Sequence, residues 1–148
     1  MEAPFHYILL RTFCYPTEIR KTVRKSLVFI ACGEHGEDMP ANVEERPLEG
    51  SFGDKIIIME IKIDRARDIK EFCRRAFPML DVANIDTRID NNLFLNLRFS
   101  KEKAAEGHMD FAHDGNIIFL KGKIKAYPAS RENALNTITE AVREYHNN

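Results

Sequence analysis

Residues 93–99 constrain the fold more than any other segment. Leu93, Leu95, Leu97 and Phe99 alternate with Phe94, Asn96 and Arg98. That is the period-two pattern of a strand with one face buried and the other in water. A sheet of such strands needs apolar cover on one side only. Three stripes at helical spacing can supply it. Ile19, Val23, Leu27 and Ile30 lie in one helix over about 18–31. Ala66, Ile69, Phe72, Cys73, Ala76 and Phe77 lie in a second over about 65–77. Leu135, Ile138, Val142 and Tyr145 lie in a third over about 130–145.

Further strands are expected at 5–14, 43–48, 55–63, 84–89 and 117–126, with 43–48 and 55–63 paired as a hairpin. Thr17 and Asp64 stand where N-caps of the first two helices belong, and Pro78 ends the second. Ser100 opens a short helical turn through Ala105, which Gly107 stops, and Pro128 and Ser130 open the last helix. The expected order is β-α-β-β-α-β-β-α-β-α. That order lacks the regular βαβ alternation of a doubly wound fold. It predicts an α+β fold with a mixed or mostly antiparallel sheet and helices packed on one face. At 148 residues the chain suits one domain, 1–148.

Apolar residues make up 44% and charged residues 30%, too apolar for disorder and too polar for a membrane protein. The start, Met1-Glu2-Ala3-Pro4, has no basic region or long apolar run, which predicts no signal peptide. Cys14, Cys32 and Cys73 are few, odd in number and widely spaced, as expected for reduced core thiols in a cytoplasmic protein.

The net charge of −1 hides an uneven distribution. Residues 1–32 carry net +3, and residues 33–50 carry net −5. On the first helix Arg20 and Arg24 are four apart, as are Lys21 and Lys25, and like charges at that spacing repel. An anionic partner such as phosphate would compensate, and so would the acidic segment folded back in cis. Later, Lys121, Lys123 and Lys125 alternate with Gly122, Ile124 and Ala126. In a strand these lysines share a face at spacings of roughly 6–7 Å. Such a comb suits successive phosphates, and it also suits an ordinary solvent face or a guarded edge.

Other motifs carry less. Gly50-Ser51-Phe52-Gly53 spells the GxxG of KH domains, but it sits between two strands with no base inside it and reads as a hairpin turn. His108, Asp110, His113 and Asp114 form the densest set of metal-ligand types, in what reads as a polar loop before a strand. Ser51, Ser100 and Ser130 lie at turns or helix starts. Nothing makes a positive case for catalysis, a metal or a cofactor.

Three strings carry a resemblance: Leu48-Glu49-Gly50-Ser51-Phe52-Gly53-Asp54-Lys55-Ile56, Leu95-Asn96-Leu97-Arg98-Phe99-Ser100-Lys101-Glu102-Lys103-Ala104-Ala105-Glu106-Gly107, and Lys125-Ala126-Tyr127-Pro128-Ala129-Ser130-Arg131-Glu132-Asn133-Ala134. With the order of elements, they resemble an archaeal family catalogued as RNA-binding and described as a predicted exosome-associated subunit. The resemblance covers nearly the whole chain. The family often has paired histidines where this chain has Ser51 and Phe52, so any role of those histidines does not carry over. The resemblance implies a fold similar to that of the ribosomal protein that docks five-S ribosomal RNA. It also implies non-catalytic RNA binding in the cytoplasm. Lys101, Lys103, Lys125 and Arg131 lie within the matching strings.

Spacing and resemblance together predict a binder of structured RNA, an accessory factor in RNA processing. Lys101, Lys103, Lys121, Lys123, Lys125 and Arg131 would supply one patch, and Arg20 and Arg24 a second. A focused patch on a nearly neutral protein binds with strong salt sensitivity. The alternative is a protein–protein module or homodimeric subunit, with the acidic segment 34–49 or Phe94 in the contact.

Overall fold

A computed structural model describes residues 2–35, 42–48, 55–113 and 115–147. Five strands, β1 (Phe5–Cys14), β2 (Glu44–Pro47), β3 (Ile57–Ile63), β4 (Phe94–Ser100) and β5 (Ile117–Ile124), form one open antiparallel sheet in the order β2-β3-β1-β5-β4. Four helices accompany them: α1 (Arg20–Cys32), α2 (Ala66–Ala76), α3 (Lys101–Ala105) and α4 (Arg131–His146). The fold is α+β, as the alternating strands and helical stripes predict. The expected hairpin is present, with β2 antiparallel to β3 and Glu45 opposite Met59. Its turn at 50–54, with the GxxG string, lies outside the described residues.

The strands bury alternate side chains. In β4 these are Leu95, Leu97 and Phe99, and in β5 they are Ile118, Leu120, Gly122 and Ile124. By internal contacts the chain divides into two compact units. The first comprises Met1–Ile8, Ile63–Leu97 and Lys121–Asn148, and the second Leu9–Lys62 and Arg98–Leu120. In the first unit α2 buries Ile69, Phe72, Cys73 and Ala76, and α4 buries Ala134, Ile138, Ala141 and Val142. Phe77 meets the edge of Phe5 at 5.9 Å and of Tyr145 at 5.7 Å between ring centroids. In the second unit α1 buries Val23, Ser26, Leu27, Ile30 and Ala31 and packs on α3, while Phe99 stacks on Phe111 at 5.5 Å. Among the described residues the cysteines form no disulfide; Cys14 and Cys73 are buried and Cys32 partly so.

Local signals succeeded where side chain and backbone are close in sequence. Ser100 Oγ accepts the Lys103 N–H and Ser130 Oγ accepts the Asn133 N–H, each at 3.1 Å. Gly107 follows α3 with a φ of 84°. Thr17 and Asp64 do not cap. The residues at those positions are Ile19 and Arg65, neither with a side-chain cap bond. A turn explains the first shift: the Glu18 N–H bonds the Tyr15 carbonyl at 2.9 Å, and the Tyr15 N–H bonds Glu18 Oε1 at 3.0 Å. That turn occupies the residues before α1.

The expected strand at 84–89 is also absent. Two tight 3₁₀ turns, Val82–Asn84 and Asp86–Arg88, stand there, and only Ile89 bridges to Leu95. Asp81 Oδ1 accepts the Ala83 N–H, and Thr87 Oγ1 donates to the Asn84 carbonyl. Such local bonds compete with a ladder. Arg131 then takes the Asp86 and Ile89 carbonyls that a strand partner would have used.

Gly122 is the tightest point of β5. A Cβ on it would lie 2.6 Å from Phe5 Cε1. Changing Gly122→Ala therefore overpacks the ring and should destabilise the protein by about 1–3 kcal/mol. Urea unfolding should show a lower midpoint at unchanged slope. An unchanged midpoint would mean that Phe5 swings aside freely.

Candidate nucleic-acid interface

The period-two pattern that buries Gly122 turns its neighbours outward. Lys121 and Lys123 flank it on β5 and stand on the other face of the strand. On the edge strand β4, Phe94 occupies the outward register between Leu93 and Leu95. The two ammonium groups lie 4.8 Å (Lys121) and 4.9 Å (Lys123) from the Phe94 ring centroid. Tyr7 of β1 meets the same ring edge-on at 6.2 Å.

The turn before β4 fixes this arrangement. Asp90 Oδ1 accepts the N–H groups of Asn92 and Phe94 at 2.9 and 3.1 Å, and Oδ2 accepts from Asn96 Nδ2 at 2.9 Å. Leu93 completes the turn in the left-handed region at φ 64°. The turn aims the Asn92 carbonyl at Lys123 Nζ, 2.7 Å away. Burial pushes the Asp90 carboxyl up, but the Asn96 amide, the two backbone N–H groups and the Lys121 charge together hold it below its ordinary value.

Each cation–π contact at an exposed site is worth about 0.5–1 kcal/mol. That is enough to hold the ammonium groups in place without neutralising them. Among the described residues neither lysine has a carboxylate ion-pair partner. The result is a pair of positive charges on an aromatic platform, an arrangement that favours an anion.

Most of the other candidates have partners within the fold. Lys125 falls just past the end of β5 and pairs with Glu2 at 3.4 Å. Arg131 holds the Ile89 and Asp86 carbonyls at 2.9 and 2.6 Å and the Asp86 carboxylate at 2.9 Å. In the second unit, Lys101 is 4% exposed. It donates to the Phe13 carbonyl at 2.6 Å and to Glu18 at 2.9 Å, with its ammonium 5.3 Å from the Tyr15 ring centroid. It is a buried tie, out of reach of a solvent phosphate. Lys103 is exposed and only loosely paired with Glu106, at 3.8 Å. Arg20 and Arg24 both bond Glu45 of β2, Arg20 at 2.8 Å. Of the acidic segment, Glu45 therefore pairs with the first helix in cis. Burial pushes the Glu45 carboxyl up, but the two guanidinium hydrogen bonds outweigh it and the net direction is down from 4.5.

The sequence reading named the lysines of β5 but not their platform, and placed Phe94 only in a protein contact. It did not single out Arg98 and Phe119, which face outward on β4 and β5 by the same alternation. Among the described residues no three His, Cys, Asp or Glu side chains are grouped to hold a metal. Asp114, of the ligand-type run His108–Asp114, lies outside them. No described helix is long and apolar enough to cross a membrane.

With this geometry established, comparison with known proteins identifies the family. A family model described as RNA binding matches residues 7–124. The chain belongs to this RNA-binding family. The matched span takes in Arg20 through Lys123 and stops before Lys125 and Arg131. A protein of Pyrococcus abyssi described as RNA-binding is 27% identical over 149 residues, covering 95% of this chain and 92% of its own. A solved structure from Methanothermobacter thermautotrophicus, of a DUF54 protein, is 30% identical with a TM-score of 0.77, covering 93% of this chain and 98% of its own. A protein of Archaeoglobus fulgidus shares the fold at a TM-score of 0.77 and 20% identity, over 93% of this chain and 99% of its own.

Glu45 yields a test of the cis pairing. Its carboxyl is depressed in the folded state, so its stabilisation is complete above about pH 4.5 and is lost as pH falls through the lower folded value. Glu45→Gln should cost about 1 kcal/mol at pH 7. In thermal melts the difference from the native protein should shrink progressively as pH falls below 4.5. A constant difference at all pH values would refute the pairing.

Proposed function

We propose that this protein binds RNA without transforming it, and that it grips the phosphate backbone through Lys121 and Lys123 about Phe94. The observation that carries this reading is two ammonium groups held within 5 Å of one ring, without carboxylate partners among the described residues. Family membership supports RNA as the ligand. Ammonium groups on an open sheet face suit phosphate contacts, which position a ligand without reading its sequence, so recognition is of backbone and shape, as expected for a structured RNA. A role as an accessory factor in RNA processing fits a binder that leaves its RNA intact. Lys103 is an accessible outlying contact. Arg20 and Arg24 contribute only if RNA displaces Glu45.

The competing reading, a protein–protein module or homodimer, has its footholds in the exposed side chains of Ile19 and Tyr127. It predicts a concentration-dependent mass in sedimentation and no RNA affinity at low salt.

The deciding experiment is a salt series with a labelled RNA stem–loop. Binding should fall steeply with salt. Lys121→Glu with Lys123→Glu should weaken it at least tenfold and make the log–log slope shallower by about 1.5–2. Unchanged affinity and slope in the folded double variant would rule this grip out.

A further inference from the structure

The second unit holds an aromatic recess that the lysine pair leaves unexplained. Phe13, Tyr15, Lys101, Gly115, Asn116, Ile117 and Phe119 line a cavity of about 120 Å³. Phe13 and Phe119 meet edge to face at 6.4 Å, and Tyr15 and Phe119 remain 40% and 37% exposed. Leaving large rings in water forgoes the stabilisation of burying them. Tyr15 is held in place: its ring rests against the buried Lys101 ammonium, which is itself fixed by Phe13 and Glu18. The rim is polar. Asn116 is exposed, its carbonyl taken by the Lys101 N–H at 3.2 Å. Its side-chain amide offers one acceptor and two donors. The Arg98 guanidinium lies 5.7 Å from the Phe119 centroid and has no carboxylate ion pair among the described residues.

We infer that this recess receives one unpaired pyrimidine base of the bound RNA, stacked on Phe119 and Tyr15, with its edge read by Asn116 and its phosphate met by Arg98. The inference rests on the RNA-binding reading and names a part of the ligand that reading leaves open. At about 120 Å³ the recess is smaller than the ~150 Å³ cavity that encloses benzene, so it takes no more than one ring, partly inserted, and leaves no room for a purine. The chemistry argues for a base of a nucleic acid. Aromatic faces supply stacking that any base accepts, the amide matches a Watson–Crick edge, and the neighbouring cation complements a phosphate. An apolar peptide side chain would use neither the amide nor the cation.

The test compares two labelled RNAs by fluorescence anisotropy: a stem with a uridine-rich loop, and the same stem as a plain duplex. Phe119→Ala should weaken loop binding about 5- to 100-fold, with the salt slope unchanged because no charge is removed. Duplex binding should stay as it was. Phe119→Trp should retain loop affinity, and replacing the loop uridines by adenosines should lower it. Should Phe119→Ala unfold the protein, Asn116→Ala serves instead, with loss of the uridine preference as its readout. Loop binding as tight as that of the native protein in folded Phe119→Ala would overturn the pocket. The lysine grip would survive that result if the Lys121/Lys123 variant still lost both RNAs. Failure of the native protein to bind either RNA would overturn both proposals.

Discussion

The strict alternation of β5 governs the rest. Ile118, Leu120, Gly122 and Ile124 point one way, and Ile117, Phe119, Lys121 and Lys123 the other. A slip of one residue would bury two ammonium groups and expose the apolar row, so the hydrophobic effect alone pins the register. Phe5 makes the constraint sharper, because only a residue without Cβ fits beneath its ring. A glycine between two lysines thus looks like a flexible interruption in the sequence but is a packing requirement in the fold. The lysines stand where they do because the side chain between them had to vanish.

Electrostatics then sorts the cations. Glu45 holds Arg20 and Arg24, Glu60 holds Arg11 and Arg46, Glu18 holds Lys101, and Asp86 holds Arg131. Burial pushes the Glu60 carboxyl up, and its two arginine partners bring it below its ordinary value, as at Glu45. A net charge of −1 is therefore no measure of what a ligand meets. Neutralised pairs contribute little field beyond a Debye length of about 8 Å. Among the described residues Lys121 and Lys123 make no such ion pair: both sit against the Phe94 ring, Lys123 also on the Asn92 carbonyl, and the Asp90 carboxylate acts on Lys121 only from a distance.

This sorting explains what the sequence could and could not reveal. The strands at 5–14, 93–99 and 117–126 and the caps Ser100 and Ser130 rest on neighbours within a few residues, and periodicity exposes those. The fate of each base depends on a partner 25 residues away for Arg20, 83 for Lys101 and 45 for Arg131. No spacing rule reaches that far. The strand expected over 117–126 stops at Ile124, so Lys121 and Lys123 lie on β5 and Lys125 falls past its end. Phe94 was legible as outward-facing, but its bond to the comb needed the pairing of an edge strand that only the fold supplies.

Lys101 shows how a residue can serve a surface without meeting its ligand. Taking an ammonium out of water is costly unless its donors are satisfied. Here the Phe13 carbonyl, Glu18 and the Tyr15 ring face do so. Glu18 in turn accepts the Tyr15 N–H, and its own N–H bonds the Tyr15 carbonyl. One cation thereby joins the end of β1, the turn before α1 and the start of α3 into a closed network. Partial satisfaction of such a network would be worse than none, so it is rigid as a whole. Tyr15 is one of its members, and the orientation of that exposed ring is set from beneath by a charge that solvent does not reach.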